Sequence, residues 1–260
     1  MLSLPLLAGC GARSELITCE PGQTRTCESF CGTGEQICVQ GRWTPCSTLP
    51  PEGEVALPAT IRDFRADHPD FETDQIGLDI GMVEDTLGPD GKPVYAGSPT
   101  TPTTTGKANF DQWFRDVPGV NQSTTSAITL VSGGEDPPVY RFDSPAFFPI
   151  DGQLFGDEGL EHNYHFTLEM VVDFRYSGGE VFTFRGDDDV FGYINGHLAI
   201  DLGGVHSEEL ASVDLDTVAA PFGLTPGEAY TLSLFFAERH TTGSSFYVET
   251  TIAEFAVCPE

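Results

Sequence analysis

Three contiguous aspartates, Asp187, Asp188 and Asp189, with a fourth at Asp201, are the residues of this chain best suited to chemistry. Like charges a few ångströms apart raise one another's pKa, find cationic partners, or hold a metal ion. An all-oxygen donor set on a loop suits calcium, which takes about six to eight oxygens at irregular geometry, better than zinc, which favours nitrogen and sulfur. The spacing is not that of an EF-hand, whose acidic ligands alternate along the loop and end in a glutamate. Calcium held by Asp187, Asp188, Asp189 and Asp201 is therefore the expected cofactor. The competing reading has these carboxylates capping loop amides or pairing with Arg185, Arg239 or His206, because a buried charge must be matched. A glycoside hydrolase using two of these aspartates or Glu238 would need carboxyls about 5 to 9.5 Å apart across a cleft with unequal pKa values. Adjacent aspartates do not supply that, and no enzyme activity is expected.

The element that must position the acids is a β-hairpin. Val190 to Ile194 and His197 to Asp201 are β-prone runs separated by Asn195-Gly196, the dipeptide that best supplies the two positive φ angles of a type I′ turn. Counting outward, Ile194 should face His197, Gly192 should face Ala199 and Val190 should face Asp201. Asp201 would then join the acidic run at the open end of the hairpin, beside Gly203-Gly204, where backbone can come close to a ligand.

Around this hairpin the segments Gly-Asp-Asp-Asp-Val at 186–190, Ile-Asn-Gly at 194–196, Asp-Leu-Gly-Gly-Val-His at 201–206 and Phe-Phe-Ala-Glu-Arg-His at 235–240 resemble the fibro-slime domain. So do His-Pro-Asp-Phe-Glu at 68–72, Phe-Asp-Gln-Trp-Phe-Arg-Asp at 110–116 and His-Asn-Tyr-His-Phe-Thr at 162–167, and the resemblance spans residues 59–257. That family is similar to the lectin-like β-sandwich first described in anthrax protective antigen and used by yeast flocculins and glycan-binding adhesins. In those lectins two adjacent aspartates joined by a cis peptide hold a calcium ion that binds sugar hydroxyls. The resemblance implies that Asp187-Asp188 is this pair, with a second loop at Thr241, Thr242, Gly243 and Ser244; His206 and His240, read as lying near the acidic rim, are placed to hydrogen-bond carboxylates or a sugar. It also implies a glycan or polysaccharide matrix as partner, with other surface proteins as the alternative if calcium only stiffens the rim.

The chain has 260 residues, 39% of them hydrophobic and 19 of them Phe, enough for a sizeable core. Its 12 basic against 40 acidic residues give a formal net charge of -28, which repels phosphate backbones and argues against nucleic acid. Residues 1–10 resemble the end of a bacterial lipoprotein signal peptide, with Leu7-Ala8-Gly9-Cys10 as the lipobox and Cys10 as the lipidated residue. A lipid on Cys10 would be the chain's contact with a membrane, placing it at the outer membrane or cell surface; secretion is the alternative. The other cysteines, Cys19, Cys27, Cys31, Cys38, Cys46 and Cys258, are even in number, and export then implies disulfides. Five lie in the Gly-rich stretch 19–46, too short to fold without staples, so two bridges are expected inside this module and one module cysteine should seek Cys258.

Residues 47–58 have linker composition, and 59–257 read as an all-β antiparallel sandwich. Ile61 to Phe64, Ala127 to Val131 and Val139 to Phe142 read as strands. The clearest alternation is Phe166, Leu168, Met170, Val172 and Phe174, repeated at Tyr230, Leu232, Leu234 and Phe236 and again at Phe246, Val248, Thr250 and Ile252. Asn109 to Asp116 is the expected single helix, capped by Asn109 and burying Trp113 and Phe114. His162 and His165, three apart on an extended chain, face opposite ways and should serve structure.

Overall fold

The computed structural model describes residues 19–44, 46–48, 53–135, 137–241 and 243–258. The signal-like segment with Cys10, Thr242 of the expected ligand loop and residues 49–52 of the expected linker lie outside them. Among the described residues no helix is long and apolar enough to cross a membrane. The chain divides into two units, one ending at residue 49 and the other beginning at residue 50.

In the first unit, strands β1 (Thr24–Ser29), β2 (Gly32–Val39) and β3 (Arg42–Trp43) form a three-stranded antiparallel sheet. Disulfides Cys19–Cys38 and Cys27–Cys46 staple it, each with a Cα–Cα distance of 5.8 Å. These are the two bridges expected inside the module. Trp43 lies under the guanidinium of Arg25, 4.4 Å away.

The second unit carries β4 (Glu54–Asp63), β5 (Gly77–Leu78), α1 (Lys107–Phe110), β6 (Gln122–Ser132), β7 (Tyr140–Ser144), β8 (Phe166–Arg175), β9 (Val181–Asp187), β10 (Asp189–Ile194), β11 (His197–Leu202), β12 (Gly204–Val205), β13 (Glu209–Asp214), α2 (Leu215–Phe222), β14 (Ala229–Glu238) and β15 (Ser245–Thr250). Ten of the strands form one antiparallel sheet in the order β11-β10-β14-β8-β4-β6-β7-β15-β9-β13. Folded over on itself, the sheet becomes the expected β-sandwich. Phe166, Leu168, Met170 and Phe174 of β8 with Leu234 and Phe236 of β14 pack from one half against Phe182, Phe184, Phe246 and Val248 from the other. The period-2 alternation of these strands supplies one apolar face, and facing the two halves together removes it from water.

A second apolar layer covers the outer side of β10 and β14. Met82, Val83, Tyr95, Phe110, Trp113 and Phe114, from the long connection between β4 and β6, pack on Phe191, Tyr193, Phe235 and Ala237. Strand β10 is consequently buried on both faces.

Four expectations need correction. The 47–58 linker ends early, because β4 starts at Glu54 with Val55, Leu57, Ala59 and Ile61 alternately buried. Pro58 fits there because β4 pairs with β6 along its whole length but with β8 only from Ala59, leaving an open edge where the missing N–H costs nothing. Trp113 and Phe114 are buried as expected, but the helix is the single turn α1, and Asn109 does not cap it. Beyond Phe110 side chains take the carbonyls a helix would use: Asn121 Nδ2 donates to Gln112 O and Arg115 O, and Thr167 Oγ1 to Trp113 O. A second helix, α2, was not foreseen; Asp214 caps its start and Gly223, left-handed at φ 70°, ends it. Finally, the hairpin register slips, with consequences for the site.

Candidate functional site

The Asn195-Gly196 turn forms with both φ angles positive, 51° and 76°, and Ile194 faces His197 as its geometry requires. One residue further along, a bulge interrupts the ladder. Tyr193 pairs Leu198, Gly192 pairs Ile200, and Phe191 pairs Asp201, so Ala199 is the extra residue. That one-residue slip moves Asp201 from the side of Val190 to the side of Phe191, under the outer layer. There Asp201 accepts the amides of Gly81 and Gly203 at 2.8 and 3.1 Å, and burial raises its pKa. It caps a loop and does not join the other aspartates as a ligand. Gly203-Gly204 does permit a close approach, but by protein: a Cβ on Gly204 would stand 2.2 Å from Gly77 O, and β12 pairs there with β5.

Asp189 also departs from expectation. Its carboxylate is fully buried and grips Arg239 in a two-point pair, Nε to Oδ2 at 2.6 Å and Nη2 to Oδ1 at 3.1 Å, while Oδ1 accepts the Gly204 amide. Arg239 is equally buried. Its remaining N–H groups donate to Asp70 O, Thr103 O and Thr103 Oγ1, and its plane lies 4.5 Å from the Trp113 ring. Despite burial, the neighbouring Asp189 carboxylate raises the Arg239 pKa, so the guanidinium stays charged. Asp189 therefore belongs to an ion pair, as the competing reading of the sequence had it.

The two remaining aspartates stay at the open end. The peptide between Asp187 and Asp188 is cis. Asp187 Oδ1 accepts the Ser245 amide across the β9–β15 ladder. Asp188, 5% exposed, accepts the amides of His206 at 3.2 Å and Arg239 at 3.1 Å. Burial, reinforced by the charge of Asp189, pushes its pKa up to about 8. Next to it is Glu238, the last residue of β14 and only 1% exposed. Burial and the charge of Asp188 raise the Glu238 pKa well above the carboxylate range.

The expected ligand loop is only partly aimed at these acids. Thr241 gives its amide and hydroxyl to Glu72 at 3.0 and 3.2 Å, and His240 Nδ1 lies 3.1 Å from Thr241 O. The His206 ring nitrogens lie against Ser207 O and Leu202 O. Gly243 has φ 145°, and Ser244 places a buried hydroxyl beside Glu238. His162 stacks on Phe148 at 3.9 Å while His165 reaches Glu72 at 2.8 Å, so the two share no partner.

Residues 142–254 match the PA14 domain. Among curated proteins, psiR of Dictyostelium discoideum is 39% identical over 201 residues, covering 72% of this chain and 20% of the relative. Protein psiC of the same organism is 35% identical over 228 residues, covering 80% and 43%. The chain thus spans less than half the length of the curated relatives it matches. Among solved structures, the PA14 sugar-binding domain from an RTX adhesin aligns over 47% of this chain and 68% of its own, at 13% identity and TM-score 0.28. The epithelial adhesin 9 A domain from Candida glabrata, in complex with Galβ1-3GlcNAc, aligns over 80% and 88%, at 13% identity and TM-score 0.34.

Among the described residues no three His, Cys, Asp or Glu side chains form a ready-made coordination cluster. The donors at the open end nevertheless fit a hard cation. They are all oxygens, each engaged carboxylate oxygen keeps a second lone pair, and Glu238 Oε2 is buried with no hydrogen bond. Zinc does not fit this set.

Proposed function

We propose that this chain is a cell-surface, calcium-dependent carbohydrate-binding protein of adhesin type, with Asp187 and Asp188 holding the ion. The observation that carries the reading is the acidic pair at the open end of the hairpin, Asp188 buried and Asp187 half-buried, left without a basic partner because Arg239 is spent on Asp189. The PA14 match over 142–254 supports it, and membership of the narrower fibro-slime group is part of the proposal. Bound calcium would neutralise the carboxylates and offer open coordination positions to sugar hydroxyls; the protein's share is to hold the acids against the amides of Ser245, His206 and Arg239. The glycan or polysaccharide matrix as partner, the lipid on Cys10 and the outer-surface location belong to the same proposal, the disulfides being consistent with an oxidising compartment.

A glycan array probed with and without a calcium chelator tests it. Binding to at least one glycan class should vanish with chelator and in Asp188→Asn, whose melting curve should no longer respond to calcium. Calcium-induced stabilisation with no glycan bound would favour a structural surface protein instead. No response to calcium at all would refute the reading.

A further inference from the structure

We propose that Phe148, His162 and Tyr164 form an aromatic platform that stacks the second ring of a neutral oligosaccharide whose first ring is held at the open end of the hairpin; this deepens the carbohydrate reading and rests on it. The three rings come from two segments beside that end. Strand β7 stops at Ser144, and three residues on the Phe147 amide donates to Ser244 O at 2.9 Å, next to Ser245, which gives its own amide to Asp187. The Phe147 ring plugs the core against Phe246, with centroids 4.6 Å apart, so the following side chain, Phe148, turns outward and is half-buried. Tyr164 lies two residues before Phe166, the partner of Glu238 in the β8–β14 ladder. Burial, with the charges of Glu161, Asp151 and Glu238, raises the Tyr164 pKa. The platform thus borders the acids from the sides of β7 and β8. Two hydrogen-bonded chain spacings separate the Asp187 and Phe147 backbones, about 10 Å in all, which is more than one pyranose ring covers.

The rings are locked in place before any ligand arrives. Phe148 and His162 lie parallel, 2° apart at a centroid distance of 3.9 Å, and Tyr164 stands edge-on to both at 5.1 and 5.9 Å. Asp151 fixes the pair: its Oδ2 is 2.7 Å from His162 Nδ1, and its Oδ1 accepts the Asn163 amide at 2.9 Å. Asn163 is itself buried and donates to Asp63 at 2.8 Å. Little side-chain freedom is therefore left to lose on binding. Other half-buried rings of this unit have a cover, Phe155 under Arg65 at 4.2 Å and Tyr247 under Arg185 at 4.8 Å. Among the described residues no guanidinium lies over Phe148 or Tyr164. A pyranose ring fits such a surface, because its C–H face settles on the negative π face while its hydroxyls reach carboxylates at the edge. The edge is acidic, with Asp151, Glu161 and Glu238 around Tyr164, and the chain carries a formal net charge of -28. Carboxylated or sulfated sugars would be repelled there, which selects neutral ones.

An array of neutral mono-, di- and trisaccharides and their sialylated counterparts, probed with the full chain in calcium, tests the platform. Wild type should bind neutral di- or trisaccharides more strongly than the monosaccharides they contain and than their sialylated forms. Phe148→Leu and Tyr164→Leu, which keep apolar bulk and lose the ring, should lower the signal on the longer glycans about three- to tenfold and leave that on monosaccharides unchanged. Phe148→Trp should retain both. Melting curves of all three variants should still rise with calcium as in wild type, since the platform holds no ion. Wild-type binding of the longer glycans by both leucine variants would overturn this inference and leave the site at the hairpin standing. Equal losses on mono- and oligosaccharides, or a lost calcium response, would make the rings part of that site's frame and overturn it as well, as would a wild-type preference for sialylated forms. No glycan bound by wild type would remove the carbohydrate reading and this inference together.

Discussion

Replacing Arg239 by Met should be among the most damaging single changes in the domain. The guanidinium is wholly buried, paired at two points with Asp189, and bonded to the carbonyls of Asp70 and Thr103. Removing one partner of a buried ion pair costs about 3 to 5 kcal/mol, because the other charge is left uncompensated. Two carbonyls also lose their donor, adding roughly 1 kcal/mol or more each. For a domain of about 200 residues the sum, about 5 to 7 kcal/mol, corresponds to a fall in melting temperature of roughly 10 to 28 °C. Urea unfolding of the oxidised chain, followed by fluorescence of Trp113 under the guanidinium, should report the loss at once. The deficit should shrink as pH falls. With its cation removed, Asp189 has a folded-state pKa raised further above the unfolded value, so a proton restores stability to the folded state. The double variant Asp189→Asn with Arg239→Met should recover at least about 2 kcal/mol relative to additive losses. If Arg239→Met costs under about 1 kcal/mol, or the two changes add, the pair is no clamp and Asp189 is again available to a metal.

His68 should contribute a pH dependence of its own. Burial lowers its pKa below 6.5, and its Nδ1 lies 3.3 Å from the Asp70 amide that donates to it. The folded chain then binds fewer protons than the unfolded one, so this stability is complete above pH 6.5 and is lost as pH falls through the depressed value, at up to about 1.4 kcal/mol per pH unit. Melting curves from pH 7 to pH 5 should be flatter for His68→Gln than for wild type, and equal slopes would refute the assignment. Gly204→Ala would place a Cβ 2.2 Å from Gly77 O at a φ of 117°. It should cost about 2 to 4 kcal/mol and strip hydrogen-exchange protection from the β5–β12 pair; a loss under about 0.5 kcal/mol would mean that β5 gives way freely.

The sandwich was legible because its central strands carry their burial in alternation. Phe166 to Phe174, Tyr230 to Phe236 and Phe246 to Thr250 each fall in a strand of the sheet. The Asn195-Gly196 turn was equally plain, yet the bulge at Ala199 has no local signature, and it alone reassigns Asp201. The first half of β4 was hidden by Pro58, whose tolerance depends on where β8 stops pairing. Helix α2 had a signal, Asp214 and Gly223 bracketing eight residues, but Pro221 in its last turn obscured it. At the site, the aspartate run and Arg239 were visible as types and not as partners. Which aspartate Arg239 takes, and which acid remains in need, follows from the layer carrying Trp113 and Thr103, far away in sequence.

The place of β4 in the sheet bears on what the recurring unit is. The family match begins at residue 142 and so omits β4, which lies between β8 and β6, together with the whole layer over Phe191, Tyr193 and Phe235. A chain cut to 142–254 would leave β8 with a bare edge and put three aromatic rings into water. What recurs most recognisably is thus shorter than what can close a core. The alignments to the Dictyostelium proteins, at 201 and 228 residues, are longer than that match.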